Sequence, residues 1–258
     1  INHPSIIMWG VGNEYYRNFF TKEDAEYALK VTQAVAKKAK EMDSYRPTVQ
    51  AQNDLIDERI LPLTDIQGRN RYFGWYEKTY NDFDHEMKEE HKKHPDWKLL
   101  VSEYGAEGKY GYHVNNPALF DHSETYQVAL HRAYWNSMRD NDFILGGTIW
   151  NMFDFASFAK VGSIPHINQK GMMTYDRKPK SVYYYYQSQW TNEPMVYIYS
   201  HTWTHRSGEA GKRVEVFSNC DEVELFVNGK SQGKRKQTDG LLWTVNLADG
   251  LHDLRAVG

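Results

Sequence analysis

A single cysteine, Cys220, stands among the 258 residues, so the chain forms neither an intramolecular disulfide nor a multi-thiolate metal site. The lone thiol reads as a partly buried strand residue and leaves the redox compartment open. Basic charge is not gathered anywhere: 31 Lys and Arg face 34 Asp and Glu, for a formal net charge of −3. With no basic block to neutralise a phosphate backbone, nucleic acid is excluded as an expected partner. No apolar run approaches the roughly 20 residues of a membrane-crossing helix, so no membrane partner is expected either. Histidines lack a tight zinc-like spacing. His113, His122 and His131 fall at scattered loop or helix positions and read as ordinary surface or core residues. No metal and no other cofactor is expected. The chain starts at Ile1, without Met or a basic-then-apolar leader, a start that reads as mid-domain.

Aromatic side chains, by contrast, are plentiful, at 15% of the residues with 8 Trp and 19 Tyr. Sugars present flat C–H faces that stack on such rings, so the excess favours carbohydrate as a ligand, although large cores use aromatics too.

The length suits one large domain or two modest ones. Up to about Trp190, short apolar segments alternate with amphipathic ones. Strands are predicted over Ser5–Val11, Thr48–Ala51, Thr64–Arg69, Leu99–Ser102 and Leu145–Trp150. A helix is predicted over Lys22–Met42, with Ala25, Ala28, Leu29, Thr32, Val35, Ala36 and Ala39 on one face. Thr21 is its N-cap, and Asp24 completes a capping box. Further helices are predicted over Asp82–Lys93 and Ser123–Arg139. Strands interleaved with helices imply a parallel sheet with right-handed crossovers, either open or closed into a barrel. After Trp190 the pattern becomes short alternating strands over Met195–Ser200, Arg213–Ser218, Glu222–Val227, Leu241–Leu247 and Leu251–Val257. Asn228-Gly229 marks a tight hairpin, and the whole reads as a β-sandwich.

Chemistry concentrates at the ends of the predicted parallel strands, where such folds place their active sites. The run Ile6 to Val11 leads to Gly12-Asn13-Glu14, and Leu99-Leu100-Val101 leads to Glu103. Alone, Asn13 and Glu14 could as well open a loop or cap a helix. Two glutamates at separate strand ends, however, are what glycosidic bond cleavage requires: one protonated to assist the leaving oxygen, the other ionised to attack the anomeric carbon or activate water. Asn70 and Tyr72 in GRNRYFGWY, and Trp150 in GGTIWNMFDF, lie at other strand ends. A tyrosine hydroxyl can hydrogen-bond a carboxylate, an asparagine can hold a sugar hydroxyl, and a tryptophan can floor a sugar ring.

Taken in order, NHPSIIMWGVGNE, RPTVQ, DIQGRNRYFGWY, KLLVSEYG and GGTIWNMFDF resemble glycoside hydrolase family 2, the family of β-galactosidases, β-glucuronidases and β-mannosidases. The resemblance covers nearly the whole chain. It implies the fourth to eighth strands of a TIM (β/α) barrel over residues 1–190. An immunoglobulin-like β-sandwich, itself truncated, then follows over 191–258. It implies Glu14 as acid/base, Glu103 as nucleophile, Asn13 on the sugar 2-OH, Tyr72 modulating Glu103 and Trp150 lining the sugar subsite. It also implies retention through a covalent glycosyl-enzyme, with carboxyl groups about 5 to 5.5 Å apart. The tail INQKGMMTYDRKPKSVYYYYQSQW resembles the segment that follows the barrel, and SNCDEVELFVNGKSQGK resembles the immunoglobulin-like domain typical of the β-galactosidase branch. Asn168-Gln169-Lys170 also matches the Asn-x-Lys arrangement with which β-glucuronidases hold a uronate carboxylate, where a lysine cation suits an acidic sugar. The expected activity is therefore β-galactosidase, with β-glucuronidase and a non-catalytic carbohydrate-binding protein as alternatives. With three barrel strands absent, the chain alone is expected to be inactive and its open strand edges to favour association, a homo-oligomer included. Family habit implies a periplasmic or secreted setting.

Overall fold

The computed structural model describes residues 3–15, 21–53, 58–159, 164–207 and 211–258. Contacts gather them into two compact units, the first formed by residues 1–106 and 130–150, the second by 107–129 and 151–258.

The first unit is built on a parallel sheet of five strands in sequential order: β1 (Trp9–Asn13), β2 (Thr48–Gln52), β3 (Ile66–Asn70), β4 (Leu99–Tyr104) and β5 (Ile144–Ile149). Helix α1 (Lys22–Met42) joins β1 to β2, α2 (Asp82–Lys93) joins β3 to β4, and α3 (Glu124–Asp140) joins β4 to β5. Consecutive parallel strands with helical crossovers are the repeating unit of a (β/α) barrel, here present in part. The capping box of α1 forms as predicted: the Thr21 hydroxyl accepts from the Asp24 amide at 3.1 Å while the Asp24 carboxylate takes the Thr21 amide at 3.1 Å. Its buried stripe is narrower than the predicted apolar face, comprising Ala28, Thr32 and Ala36 at i, i+4 and i+8, with Val35 exposed.

Strand β1 begins four residues later than predicted. Its first pairing is Trp9 with Thr48, and the carbonyl of Ile6 is taken instead by the Arg46 guanidinium at 2.6 Å. Lacking a partner strand, Ser5 to Met8 stay outside the sheet and Ile7 faces solvent. Strand β3 is buried along its whole length despite the sequence Ile-Gln-Gly-Arg-Asn. Its charges are matched: Arg69 and, just beyond the strand, Arg71 reach Glu90 of α2 at 2.6 and 2.7 Å. Alternation of the pleat sends Asn70 to the other side from these two arginines.

The second unit holds the short antiparallel pair β6 (Phe155–Ala156) and β7 (Ile167–Asn168), helix α4 (Ser181–Trp190), and six further strands. These are β8 (Val196–Tyr199), β9 (Gly211–Ser218), β10 (Glu222–Val227), β11 (Lys230–Lys236), β12 (Leu242–Asn246) and β13 (Leu254–Val257). They form two three-stranded sheets, β11-β10-β13 and β12-β9-β8, and together make a β-sandwich. Val214, Val216, Trp243 and Val245 from one sheet pack with Val223, Leu225 and Val227 from the other. Hairpin β10–β11 turns on Asn228 and Gly229, both at positive φ (49° and 77°), as a two-residue primed turn demands.

Compactness groups residues 151–190 with the sandwich strands. Tyr184 of α4 stacks on Tyr197 with centroids 3.8 Å apart, and Tyr185 packs edge-on to Phe217. Cys220 is a half-buried free thiol in a bend between β9 and β10, not in a strand as expected.

Candidate active site

Within the first unit, the C-terminal edge of the parallel sheet gathers most of the residues singled out from the sequence. Asn13 closes β1 with Glu14 next to it, Asn70 closes β3, Glu103 is the penultimate residue of β4, and Trp150 follows β5 directly. Register sets the neighbours, since Asn70 pairs with Glu103 across β3 and β4.

Asn70, almost fully buried, links three groups. Its side-chain nitrogen donates to Glu14 Oε1 at 2.8 Å and to Asn13 Oδ1 at 3.0 Å, and its oxygen accepts from Ser102 Oγ at 2.7 Å. Glu14 holds a left-handed backbone (φ 49°), uncommon outside glycine, asparagine and aspartate, and its amide donates to the Ala51 carbonyl at 3.0 Å. The strand end is thus bent so that the carboxylate meets Asn70.

Tyr72 donates its hydroxyl to Glu103 Oε2 at 2.8 Å. Burial pushes the phenol well above its ordinary range. The charge of Glu103 and the hydrogen bond to it push the same way, with smaller contributions from Tyr76 and Glu14. Both carboxylates therefore act on one phenol, which remains a donor. Tyr76 lies against it with ring centroids 5.2 Å apart. The Trp150 amide donates to the Tyr104 carbonyl at 2.9 Å, and its side chain is 37% exposed.

Asn168 and Lys170 belong to the second unit. The Lys170 ammonium is buried 3.5 Å from Glu107 Oε1, and the Lys170 amide donates to Asn168 Oδ1 at 3.0 Å. Their segment is fixed on several sides. Lys180 Nζ donates to the Gln169 carbonyl at 2.9 Å and to Asp154 Oδ1 at 2.7 Å, while the Gly171 amide donates to the same Asp154 oxygen at 2.9 Å. Among the described residues, no group of three or more His, Cys, Asp or Glu side chains is arranged to hold a metal ion. His131 is buried in α3 beside Tyr104 and His113 lies 2.8 Å from Thr202, whereas His122 is half-buried.

Sequence reasoning missed Ser102, Tyr76 and Glu107. A serine beside a candidate nucleophile carries no signal until its partner is seen, and Glu107 is marked only by its nearness in sequence to Glu103.

Residues 1–194 match the family described as glycosyl hydrolases family 2, TIM barrel domain, and residues 210–258 match a domain of unknown function. A β-glucuronidase of Bacteroides fragilis is 36% identical over 91% of this chain and 34% of its own length. A β-galactosidase of Bacteroides ovatus is 39% identical over 44% of this chain and 14% of its own length. Among solved structures, an FMN-binding β-glucuronidase from Facaelibacterium prausnitzii superposes with a TM-score of 0.91 at 34% identity, over 99% of this chain and 40% of that one. The chain spans about a third of the length of the curated relatives it matches across most of its residues. With its motifs in order along a partial (β/α) barrel and the family match covering that barrel throughout, this chain belongs to glycoside hydrolase family 2.

Proposed function

We propose that the chain supplies the two catalytic carboxyl groups of a retaining β-glycoside hydrolase acting on β-glucuronides. The observation that carries the reaction type is the pair of glutamates at the ends of β1 and β4, Glu14 held by Asn70 and Glu103 held by Tyr72.

In this reading Glu103 attacks the anomeric carbon while Glu14 passes its proton to the departing glycosidic oxygen. Glu14, now ionised, takes a proton from water, which then displaces Glu103 from the sugar. Tyr72 holds Glu103 Oε2 and so orients the nucleophile for a single line of attack. Asn13 offers its amide nitrogen to the sugar 2-OH, because its oxygen already accepts from Asn70. Trp150 is the platform for the ring.

The substrate reading moves from the galactoside expected from sequence to a glucuronide. Relatives matched over nearly the whole chain carry the β-glucuronidase name, and Asn168-Gln169-Lys170 matches in sequence the Asn-x-Lys arrangement in which a lysine cation suits an acidic sugar. A galactoside remains the second reading, favoured by the Bacteroides ovatus relative. No cofactor enters either mechanism.

The test is hydrolysis of aryl β-glucuronide and aryl β-galactoside by the full-length protein carrying this chain, beside its Glu103→Gln variant. Glucuronide turnover nearly abolished in the variant is expected. Galactoside preference would return the substrate to the second reading, a variant within tenfold of its parent would remove Glu103 from the nucleophile role, and inactivity on both would favour a carbohydrate-binding protein.

A further inference from the structure

Ser102, the residue before Glu103 on β4, donates a hydrogen bond to Asn70, which in turn holds Glu14. We propose that Ser102 is a positioning residue that keeps the proton of Glu14 aimed at the leaving oxygen, by preventing the Asn70 amide from turning over. The inference rests on the reading of Glu14 as the acid/base.

An asparagine side chain has one acceptor atom and one atom carrying two donor hydrogens. Here the nitrogen serves Glu14 Oε1 (2.8 Å) and Asn13 Oδ1 (3.0 Å), and the oxygen serves Ser102 Oγ (2.7 Å). While Glu14 is ionised it only accepts, and the arrangement maintains itself. The difficulty arises when Glu14 is protonated for catalysis. A protonated carboxyl group can donate, and a turned amide would present its oxygen to Glu14 and capture the proton that the leaving group needs. The Ser102 hydroxyl, donating to Asn70 Oδ1, opposes that turn. With the nitrogen kept on Oε1, the proton stays on Oε2.

The surroundings fit such a task. Gly68 lies two residues before Asn70 on the same face of β3, and a Cβ there would come within 2.9 Å of Ser102 Oγ and 2.8 Å of the Gln50 carbonyl. Its absence leaves the hydroxyl its room. The carbonyl of Ser102 accepts from the Thr148 hydroxyl, which ties this residue to β5 as well as to β3.

The experiment compares Ser102→Thr with Ser102→Val, two side chains of nearly equal shape that differ in the hydroxyl, in the full-length protein carrying this chain. Aryl β-glycosides of its preferred sugar are used, with leaving groups from phenol (poor) to 2,4-dinitrophenol (good). The Val variant is expected to lose about 10-fold in kcat/KM on the phenyl glycoside, the cost of one mispositioned hydrogen bond, and less than about 2-fold on the dinitrophenyl glycoside, which needs little acid assistance. Because Glu14 is ionised when it acts as base, azide, which needs no general base, is expected to speed turnover of the dinitrophenyl glycoside by a Glu14→Ala variant and not by the Val variant. The Thr variant is expected to stay within about 2-fold of the parent. Equal losses on both leaving groups, or Thr and Val behaving alike, overturn the proposal. Glu14→Ala is the reference: if it shows neither leaving-group dependence nor azide rescue, the acid/base assignment itself fails, whereas a normal Glu14→Ala response beside a silent Val variant overturns only the role of Ser102.

Discussion

The hydroxyl of Tyr72 is hydrogen-bonded to Glu103 Oε2 at 2.8 Å, from two residues beyond the end of β3, the strand that neighbours the one bearing the glutamate. Burial, reinforced by the charge of Glu103, pushes that phenol well above its ordinary range, so it remains a donor where an ordinary tyrosine would begin to ionise. Tyr72→Phe removes a hydrogen bond to an ionised group, worth about 1.5–3 kcal/mol. The full-length protein is expected to lose about 10- to 100-fold in kcat/KM. The alkaline limb of its pH profile is expected to stay unchanged, since Tyr72 does not titrate in the working range. A profile that loses its alkaline limb in the variant would show that the tyrosine titrates after all.

The buried ion pair between Lys180 and Asp154 gives a second prediction. Its side chains are 0% and 6% exposed, and the lysine also holds the Gln169 carbonyl. Burial raises the Asp154 carboxyl and lowers the Lys180 ammonium, so each group depends on the other to stay charged. Lys180→Met strands the carboxylate and is expected to cost about 3–5 kcal/mol of stability. Lys180→Met with Asp154→Leu, which removes both charges, is expected to recover a good part of that loss. Urea unfolding of the chain and both variants reads the difference, and a double variant no better than the single would show that the cost comes from packing and not from charge.

Legibility in the sequence followed the physics of each element. Helix α1 and its cap could be read because an amphipathic period and a capping box are local signals, and α2 was placed at its observed ends for the same reason. Strand β4 was visible because Leu99, Leu100 and Val101 form a buried apolar run, whereas β5, with only Ile144 buried, was placed one residue late. Strand β3 was legible by its motif and not by its pattern: Gln67, Arg69 and Asn70 are buried only because Leu61, Glu90 and Glu14 supply partners from distant parts of the chain. Strand β11 escaped notice since every residue of Lys230–Lys236 is exposed and no alternation marks it, and α4 was hidden by four consecutive tyrosines. At the site, residue types at strand ends could be anticipated, but the links among them, Ser102 to Asn70 to Glu14, are distances between separate strands and are absent from any single segment.

The turn between β10 and β11 tests a purely local requirement. Gly229 sits at φ 77° with no atom within 4 Å of the position a Cβ would take. Gly229→Ala therefore adds backbone strain without a clash, and is expected to destabilise the chain by about 1–2 kcal/mol. A thermal midpoint unchanged from the parent would mean that the hairpin does not need the primed turn.

Asp43 supplies a pH-dependent test of how β1 is anchored. It is the C-cap residue of α1, and its Oδ2 accepts from Arg46 Nη1 at 2.6 Å and from Trp9 Nε1 at 3.1 Å, Trp9 being the first residue of the strand that leads to Glu14. The Arg46 hydrogen bond, then the Trp9 one, hold the carboxyl well below the usual carboxylate range. A carboxyl lowered in the folded state stabilises fully above its unfolded value of about 3.9, and the contribution is lost as pH falls from there through the folded value. Asp43→Asn is thus expected to lower the thermal midpoint most at neutral pH, with the gap to the parent closing as pH drops below about 4. A gap independent of pH from 7 to 3 would assign the loss to the shape of the cap, and would leave the charge of Asp43 with no part in fixing the start of β1.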